Sequence, residues 1–203
     1  MKSFSEIETI VKRASKACGF SWGVSEEIGK NIRLLEMFGI HGIKNLNSYF
    51  NKFKDKKFQN INLIAKTNLS KEIPFCPISS GINFLDQVHI LEEMKELKFE
   101  NMAFPILFVP FLSRASELIG KKIFLQIDQK KLLLNFNQSI FANLPNNEVL
   151  EKGEKIDIKF LENIDSFDDI EWKNLLTLSK ETFVDETDDL KKKAAGAGLT
   201  DND

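Results

Sequence analysis

Apolar residues recur every three or four positions through the first fifty residues, which is the spacing of amphipathic helices. Ser3 and Glu6 have the spacing of a capping box, so we expect the first helix to begin there. A second helix is predicted to begin near Ser25, and a third to cover about Lys44 to Phe53. Residues 1–54 are therefore predicted to form an N-terminal helical unit.

Gly29 lies inside the predicted second helix, where glycine costs about 1 kcal/mol relative to alanine. Ala14 and Cys18 give the first helix a face of small side chains. The pattern therefore predicts that the backbones of the two helices approach each other closely at Gly29.

The most apolar run in the chain is Ala103–Leu112, which contains no charged residue. Its length and its content of Phe, Ile and Val are typical of a strand that is buried on both faces. Pro105 and Pro110 cannot donate hydrogen bonds to a neighbouring strand, so we expect them to mark its two ends. A short helix is predicted to follow over Ser113–Ile119.

The segments before this run have weaker patterns. Pro74–Gly81 is rich in turn-forming residues and is predicted to be a loop. Ile82–Ile90 fits either a helix or a strand. Charged side chains dominate Glu92–Lys98, which is predicted to be exposed.

Alternation of apolar and polar residues in the second half of the chain predicts a sheet. Lys122–Asp128 and Lys131–Phe136 are predicted to pair as a β-hairpin. Ser139–Ala142 and Lys155–Leu161 are predicted to be further strands, the second with one face exposed to solvent.

A last amphipathic helix is predicted after Ser166–Asp169, which has the residue types that cap helices. Five residues of this helix are predicted to be buried: Trp172, Leu175, Leu176, Ser179 and Phe183.

These patterns together predict an α+β fold in which the N-terminal helical unit packs on a mainly antiparallel sheet, with a C-terminal helix and a glycine-rich tail. We expect one domain over residues 1–193, with the sheet carried by residues 74–184. Residues 194–203 are expected to form the tail.

Charge and composition exclude several classes of protein. Lys and Arg number 28 against 30 acidic residues, and no basic stripe is present, so we expect no nucleic-acid binding. No apolar segment is long enough to span a membrane and no apolar leader opens the chain, so a cytoplasmic protein is expected. The two cysteines and two histidines lack the spacing of metal ligands, and no cofactor follows from the sequence.

Arginine is scarce in this chain, with Arg13, Arg33 and Arg114 among the 28 basic residues. Its planar group grips carboxylates and phosphates through paired hydrogen bonds that lysine cannot reproduce. Arg33 and Arg114 are therefore candidate ligand-binding residues. The alternative is that they pair with structural carboxylates.

Trp22 precedes Glu26 and Glu27 at the start of the predicted second helix. In one interpretation Trp22 walls a pocket in which Glu26 or Glu27 acts as a base or binds a cation. In the other, Trp22 lies in the core and the glutamates stabilise the positive end of the helix dipole.

Cys76, Asp86 and His89 could supply a nucleophile, an orienting carboxylate and a base. Three such residues within fifteen positions arise easily by chance, so they are weak catalytic candidates.

The C-terminal tail gathers oxygen ligands after two glycines, and Asp201, Asn202 and Asp203 are its candidate ligand-binding residues. Such a terminus is either loose in solvent or held in a pocket of its own or a neighbouring protomer.

Three stretches of the chain resemble an uncharacterised bacterial family catalogued as a domain of unknown function (3726): Phe20–Gly29, the Arg33-Leu-Leu that follows, and the ending Gly196–Asp203. The family's members are about as long as this chain. Phe183-Val-Asp185 stands where the family has Tyr-Val-Pro, so no rigid turn is implied there. The resemblance implies no activity, but it implies a role for Trp22, Glu26, Glu27, Arg33 and the tail.

Two hypotheses about function follow. In the first, the chain is a small-molecule metabolic enzyme or enzyme subunit. Its polar pocket lies between helices and sheet and is completed by the tail. The chain then forms a homo-oligomer or binds a partner enzyme subunit. In the second, it is a non-catalytic interaction or accessory subunit whose tail inserts into a partner.

Overall fold

The computed structural model describes residues 2–53, 57–143 and 149–182. The chain divides into two compact units, residues 1–163 and residues 164–203, and each is described by itself. Among the described residues, the first unit contains five α-helices and a six-stranded sheet, and the second contains one helix.

The α+β fold is confirmed, with the helices of the first unit flanking a mostly antiparallel sheet. These helices are α1 (Phe4–Ala17), α2 (Trp22–Met37), α3 (Gly42–Phe53), α4 (Pro77–Leu91) and α5 (Val109–Ile119). The strands are β1 (Thr67–Leu69), β2 (Glu96–Ala103), β3 (Lys122–Ile127), β4 (Lys130–Asn135), β5 (Ser139–Ala142) and β6 (Lys152–Leu161).

The strand order is β1-β2-β6-β3-β4-β5, and β1 pairs parallel with β2 while the other neighbours pair antiparallel. The predicted hairpin is confirmed as β3 and β4, and the two further strands as β5 and β6. Antiparallel neighbours can be joined by tight turns, whereas the parallel pair needs the long connection that α4 provides.

Helix α1 begins as predicted, because the Ser3 side chain accepts a hydrogen bond from the Glu6 backbone nitrogen. The predicted start of α2 near Ser25 is wrong by one turn. Ser21 caps this helix by accepting from the Val24 nitrogen, and Trp22 is its first residue. Glu26 therefore lies beyond the first turn, where the helix dipole offers little stabilisation.

The predicted close approach at Gly29 is confirmed, but its partner on α1 differs. A Cβ atom at Gly29 would lie 2.8 Å from the Glu8 carbonyl oxygen and 3.4 Å from the Lys12 Cβ. The contact is thus one to two turns nearer the start of α1 than Ala14 and Cys18, the residues expected from the sequence.

The apolar run at residues 103–112 is buried as predicted, but it is not a strand. Ala103 ends β2, Phe104 has a positive φ of 42°, and a short 3-10 helix over Pro105–Leu107 leads into α5. Both prolines lie in the first turns of helical segments, where their missing N–H has no helical partner to lose. The two prolines that were expected to mark the ends of a strand therefore lie at the starts of helical segments.

Two segments before the run also differ from the sequence-based expectations. Pro74–Gly81 is not a loop throughout, because α4 begins at Pro77. A Cβ atom at Gly81 would lie 2.2 Å from the Phe111 ring, so this glycine lets α4 pack directly on α5. The charged segment Glu92–Lys98 contains the start of β2, with Leu97 fully buried.

The second unit contains α6 (Asp169–Lys180), which begins as predicted with a capping box between Asp168 and Glu171. Its apolar side is exposed in the structure, including Trp172, Leu175 and Leu176, so the predicted burial is wrong for these residues. Phe183 and the tail lie outside the described residues. Within the described ranges, no helix combines the length and the apolar character needed to cross a membrane.

Candidate functional site

A cavity of about 540 Å³ opens between the N-terminal helices and the first turns of α4. Its apolar walls come from Phe20, Val24, Phe58, Ile78 and Ile82. This volume lies within the range of small-molecule sites, which are mostly apolar with a few polar groups that fix orientation.

The polar groups of the cavity lie mainly at the start of α4. They are Cys76, Ser79 and Asn83 of this segment, together with Lys57 and Asn60 from the chain before β1. Among the described lining residues, Lys57 is the one charged side chain. The backbone amides of a helix start also carry partial positive charge, so this end of the cavity favours an anionic group.

Cys76 and Pro77 explain why α4 starts here. Cys76 has extended backbone angles and its Sγ accepts a hydrogen bond from the Ser79 nitrogen at 3.5 Å, while Pro77 is the first helical residue. Asn83 is one turn beyond Ser79 and donates from Nδ2 to the Ser79 carbonyl oxygen at 2.9 Å. Ser79 and Asn83 therefore both project from the first turns of α4.

The Cys76 thiol is 4% exposed and lies 3.3 Å from the Tyr49 hydroxyl in a hydrogen bond. Burial raises the pKa of Tyr49, and the neighbouring Cys76 raises it further. The phenol therefore keeps its proton at physiological pH. Tyr49 in turn stacks on Phe58, with the two ring centroids 5.2 Å apart, which connects the thiol to the cavity wall.

The chain around Phe58 is held against α4 by backbone hydrogen bonds. Gln59 donates from its nitrogen to the Pro74 carbonyl at 2.9 Å, and its carbonyl accepts from the Cys76 nitrogen at 2.8 Å. Gln87 on α4 accepts from the Ile64 nitrogen at 3.1 Å and so fixes the following segment. The cavity wall is thus tied to the same helix that supplies the polar groups.

Glu26 and Glu27 lie outside this cavity, in an ion-pair network between helices. Glu26 pairs with Lys12 of α1 at 2.9 Å and with Lys30 at 3.4 Å. The hydrogen bond from Lys12 is the largest influence holding the pKa of Glu26 below its usual value. Glu26 thus helps to join α1 to α2.

Glu27 pairs with Arg114 of α5 at 2.5 Å and with Lys30 at 3.2 Å. Burial raises the pKa of Glu27, but the Arg114 guanidinium and Lys30 outweigh it and leave this pKa below its usual value. Arg114 also lies 3.3 Å from the Asn31 amide oxygen. These contacts support the structural alternative for Arg114, which ties α5 to α2.

Arg33 and Trp22 also lie outside the cavity. The Nε atom of Arg33 is 2.9 Å from a carboxylate oxygen of Glu8, so this arginine pairs α2 with α1. Trp22 is 58% exposed, and the Lys16 ammonium lies 5.6 Å from its ring centroid. Trp22 is therefore neither in the core nor part of the cavity wall.

Cys76, Asp86 and His89 are not brought together. Asp86 and His89 are exposed on α4, whereas Cys76 is buried at the start of the same helix. Ten and thirteen residues of helix separate them from Cys76, which corresponds to roughly 15–20 Å. His89 instead lies 3.9 Å from a carboxylate oxygen of Glu92.

The candidate tail residues Asp201, Asn202 and Asp203 lie outside the described residues. Within the residues that are described, no group of three or more His, Cys, Asp or Glu side chains is arranged to hold a metal ion.

Sequence reasoning did not place Ser79 and Asn83 on one helix, because it treated Pro74–Gly81 as a loop and left Ile82–Ile90 open between helix and strand. It also missed Lys57, which lies in the chain before β1. Cys76 followed by Pro77 is a possible capping pair with proline at the first helical position. Phe84, Val88 and Leu91 then follow at helical spacing, and all three are buried. This combination was the signal that could have placed Ser79 and Asn83 on one helix.

Comparison with known proteins finds a similarity in the first part of the chain. Residues 2–73 match the family described as "Protein of unknown function (DUF3726)". The resemblance to this family of unknown function is confirmed over that segment. The matched segment covers α1 to β1, including Phe20, Val24 and Phe58 of the cavity wall. No curated protein and no solved structure matched the chain.

Proposed function

We propose that this protein is a small-molecule enzyme, or a subunit of one, and that its ligand binds in the cavity at the start of α4. The observation that carries the proposal is a cavity of about 540 Å³ with apolar walls and one polar end. The lining of this cavity also includes a thiol and a hydroxyl, those of Cys76 and Ser79.

The chemistry of the lining indicates the class of ligand. Lys57, the Ser79 hydroxyl and the helix start all favour a negative group, and the described lining contains no carboxylate. Phe20, Phe58 and Ile82 favour an apolar body. The ligand class is therefore a small molecule with an apolar body and a carboxylate or phosphate end.

Binding is tested by heteronuclear NMR titration with two series of probes, fatty carboxylates from acetate to octanoate and the corresponding alkyl phosphates. We expect saturable shift changes at Ser79, Ile82 and Asn83, with affinity rising with chain length because more apolar surface is buried. Lys57→Met is expected to weaken binding about tenfold by removing a charge-assisted contact. Lys66→Met, an exposed lysine away from the cavity, is the matched control.

Ile82→Trp is a second variant that fills the cavity from α4 without changing its charge. It is expected to abolish binding of the longer probes. Unchanged affinity in both Lys57→Met and Ile82→Trp would contradict the proposal, as would the absence of any saturable shift. To test for catalysis, the protein is incubated with a metabolite extract and the consumption of metabolites is followed by mass spectrometry. The variants Cys76→Ser and Ser79→Ala are compared with the wild type in the same assay.

An interaction or accessory protein is the second candidate function, favoured by the exposed apolar side of α6. Trp172, Leu175 and Leu176 expose surface that a partner could cover. If the cavity binds no probe while Trp172→Ser loses a stoichiometric cellular partner, this second function is favoured.

The participation of residues 194–203 in binding stays a prediction, because they lie outside the described residues. Removing them from the full chain and repeating the NMR titration tests it. We further propose a cytoplasmic location in a bacterial cell and assembly into a homo-oligomer or with an enzyme subunit, as the sequence led us to expect.

A further inference from the structure

The cavity at the start of α4 has a hydrogen-bonding group one helical turn beyond its anion-favouring end. Asn83 lines the cavity four residues after Ser79, and both side chains are half-buried. Four residues of helix advance by about 6 Å along the axis. One helix carries both residues, so this separation between the two polar groups is set by the helix itself.

The Asn83 side chain offers its oxygen, and not its nitrogen, to a ligand. Its Nδ2 atom donates to the Ser79 carbonyl oxygen at 2.9 Å. That contact fixes the orientation of the amide, because a carbonyl oxygen pairs with the nitrogen side alone. Oδ1 accepts no hydrogen bond from the described residues, and it is not one of their enclosed, unpaired side-chain atoms. The cavity therefore presents an acceptor at Asn83.

The first turn of α4 has few donors left for an anion. The Cys76 nitrogen already donates to the Gln59 carbonyl at 2.8 Å, and Pro77 has no N–H. The Ser79 nitrogen donates to the Cys76 Sγ atom. Among the described residues, Ile78 therefore supplies the one backbone N–H of this turn that is still unpaired, beside the Ser79 hydroxyl.

This small set of donors suits a carboxylate better than a phosphate. Lys57 is the one charged side chain among the described lining residues, so it balances a single negative charge. A carboxylate carries one charge on two oxygens. A phosphate monoester carries about two charges on three oxygens near pH 7, and part of that charge would stay unmatched here.

Two aromatic rings form part of the apolar wall. Phe58 stacks on Tyr49 with ring centroids 5.2 Å apart, and Phe20 lies 6.2 Å from Phe50. Tyr49 and Phe50 are themselves neighbours at 5.9 Å, so both wall rings are backed by one cluster of buried rings. Aromatic rings pack well against other planar rings in offset or edge-to-face contacts.

We propose that the ligand of the site proposed above is an aromatic carboxylate whose ring carries an O–H or N–H donor. The carboxylate binds at Ser79 and Lys57, the ring packs between Phe20 and Phe58, and the donor meets the Oδ1 atom of Asn83. A benzene ring holds a carboxylate and a para hydroxyl at about the separation that one helical turn sets between Ser79 and Asn83.

NMR titration of the full chain at pH 7.5 with two matched sets of probes tests the proposal. The first set is benzoate, 4-hydroxybenzoate and 4-methoxybenzoate, and the second contains the corresponding phenylacetates. In at least one set, the hydroxyl compound is expected to give saturable shifts at Ser79 and Asn83. It is also expected to bind about fivefold more tightly than the other two, because the methoxy group can only accept. Phenyl phosphate is expected to bind more weakly than benzoate.

Asn83→Leu removes the acceptor and keeps a residue that favours helix. It is expected to bring the affinity for the hydroxyl compound down to that for the unsubstituted one, whose own affinity stays unchanged. A merely structural role for Asn83 would instead weaken both compounds alike. Asn51→Leu makes the same change at an exposed position of α3 that does not line the cavity, and it should leave the fivefold preference intact.

Three results would each overturn the proposal: no preference for the hydroxyl compound in either set, an unchanged preference in Asn83→Leu, or tighter binding of phenyl phosphate than of benzoate. If octanoate still binds in any of these cases, the ligand site itself stands and this ligand class alone fails. If no carboxylate binds at all, the proposed function fails together with it. If Asn83→Leu does not fold, the comparison of hydroxyl with methoxy compounds on the wild type decides the outcome.

Discussion

At the scale of single residues, Tyr49 connects the core to the candidate site. Tyr49 is fully buried, forms a hydrogen bond with Cys76 and stacks on Phe58. Both Cys76 and Phe58 line the cavity. It is also the one tyrosine in the sequence, so its ionisation can be followed without overlap from another phenol.

We expect the Tyr49 phenol to resist ionisation in the folded protein. Burial raises the pKa of Tyr49 in the folded protein. The stabilisation that comes from keeping this phenol neutral is therefore complete below the pKa of tyrosine in the unfolded chain, and it is lost as the pH rises above that value. Absorbance at 295 nm should therefore stay flat past pH 10 until the protein unfolds. In guanidinium chloride the same group should titrate near about pH 10.

Circular dichroism recorded in the same titration shows whether the protein is still folded. A phenolate signal near pH 10 with an unchanged far-ultraviolet spectrum would show that Tyr49 is accessible and that the described packing is wrong.

At the scale of secondary-structure elements, charge joins the N-terminal helices to α5. Glu27 of α2 reaches Arg114 of α5, while Glu26 reaches Lys12 of α1. The Glu27 side chain is 27% exposed and that of Glu26 is 46% exposed, so solvent screens the Glu26 pair more strongly. This difference allows one glutamate to serve as the control for the other.

Glu27→Gln is expected to lower the free energy of unfolding by roughly 0.5–1 kcal/mol at pH 7. The pKa of Glu27 is lower in the folded protein than in the unfolded chain. The contribution of Glu27 to stability is therefore present above the pKa of the unfolded chain, and it disappears as the pH falls through the pKa of the folded protein. The difference between variant and wild type should therefore shrink below about pH 4.

Urea denaturation at a series of pH values measures the free energy of unfolding of the variant and the wild type. Glu26→Gln, at the more exposed glutamate, is the control, and its effect on this free energy is expected to be near zero. A constant difference between Glu27→Gln and wild type from pH 7 to pH 3 would mean that the Arg114 pair does not stabilise the fold.

The elements also show where sequence reasoning succeeded. The β3–β4 hairpin follows from alternation and a short polar turn, which are local signals. The prediction of a strand over residues 103–112 was wrong, because a segment that is buried on all sides lacks the apolar periodicity that distinguishes a helix from a strand. The cavity at the start of α4 could not be predicted either, since Phe20 and Phe58 lie far along the chain from Ser79 and line the same space only in the folded structure.

At the scale of the whole molecule, all six strands lie in the first unit, residues 1–163. The helix of the second unit has no buried residue. The earlier expectation of a single domain over residues 1–193 stays a prediction, and removal of the second unit tests it.

A protein comprising residues 1–163 is expected to fold on its own, because its core and its sheet pairings are internal to that unit. Thermal unfolding should be cooperative, with a midpoint within about 4 °C of the full chain, which corresponds to a change of no more than about 1–2 kcal/mol. Non-cooperative unfolding or loss of near-ultraviolet circular dichroism would instead support one domain that extends past residue 163.

The central place of β6 has a consequence for synthesis of the chain. β2 and β3 do not pair with each other, and they join only through β6, which is made last of the six strands. A nascent chain on the ribosome therefore holds two incomplete sheet fragments, each with a bare edge open to mispairing. Those edges stay open until residues 152–161 emerge from the exit tunnel, so chaperone binding should concentrate on nascent chains that stop short of them.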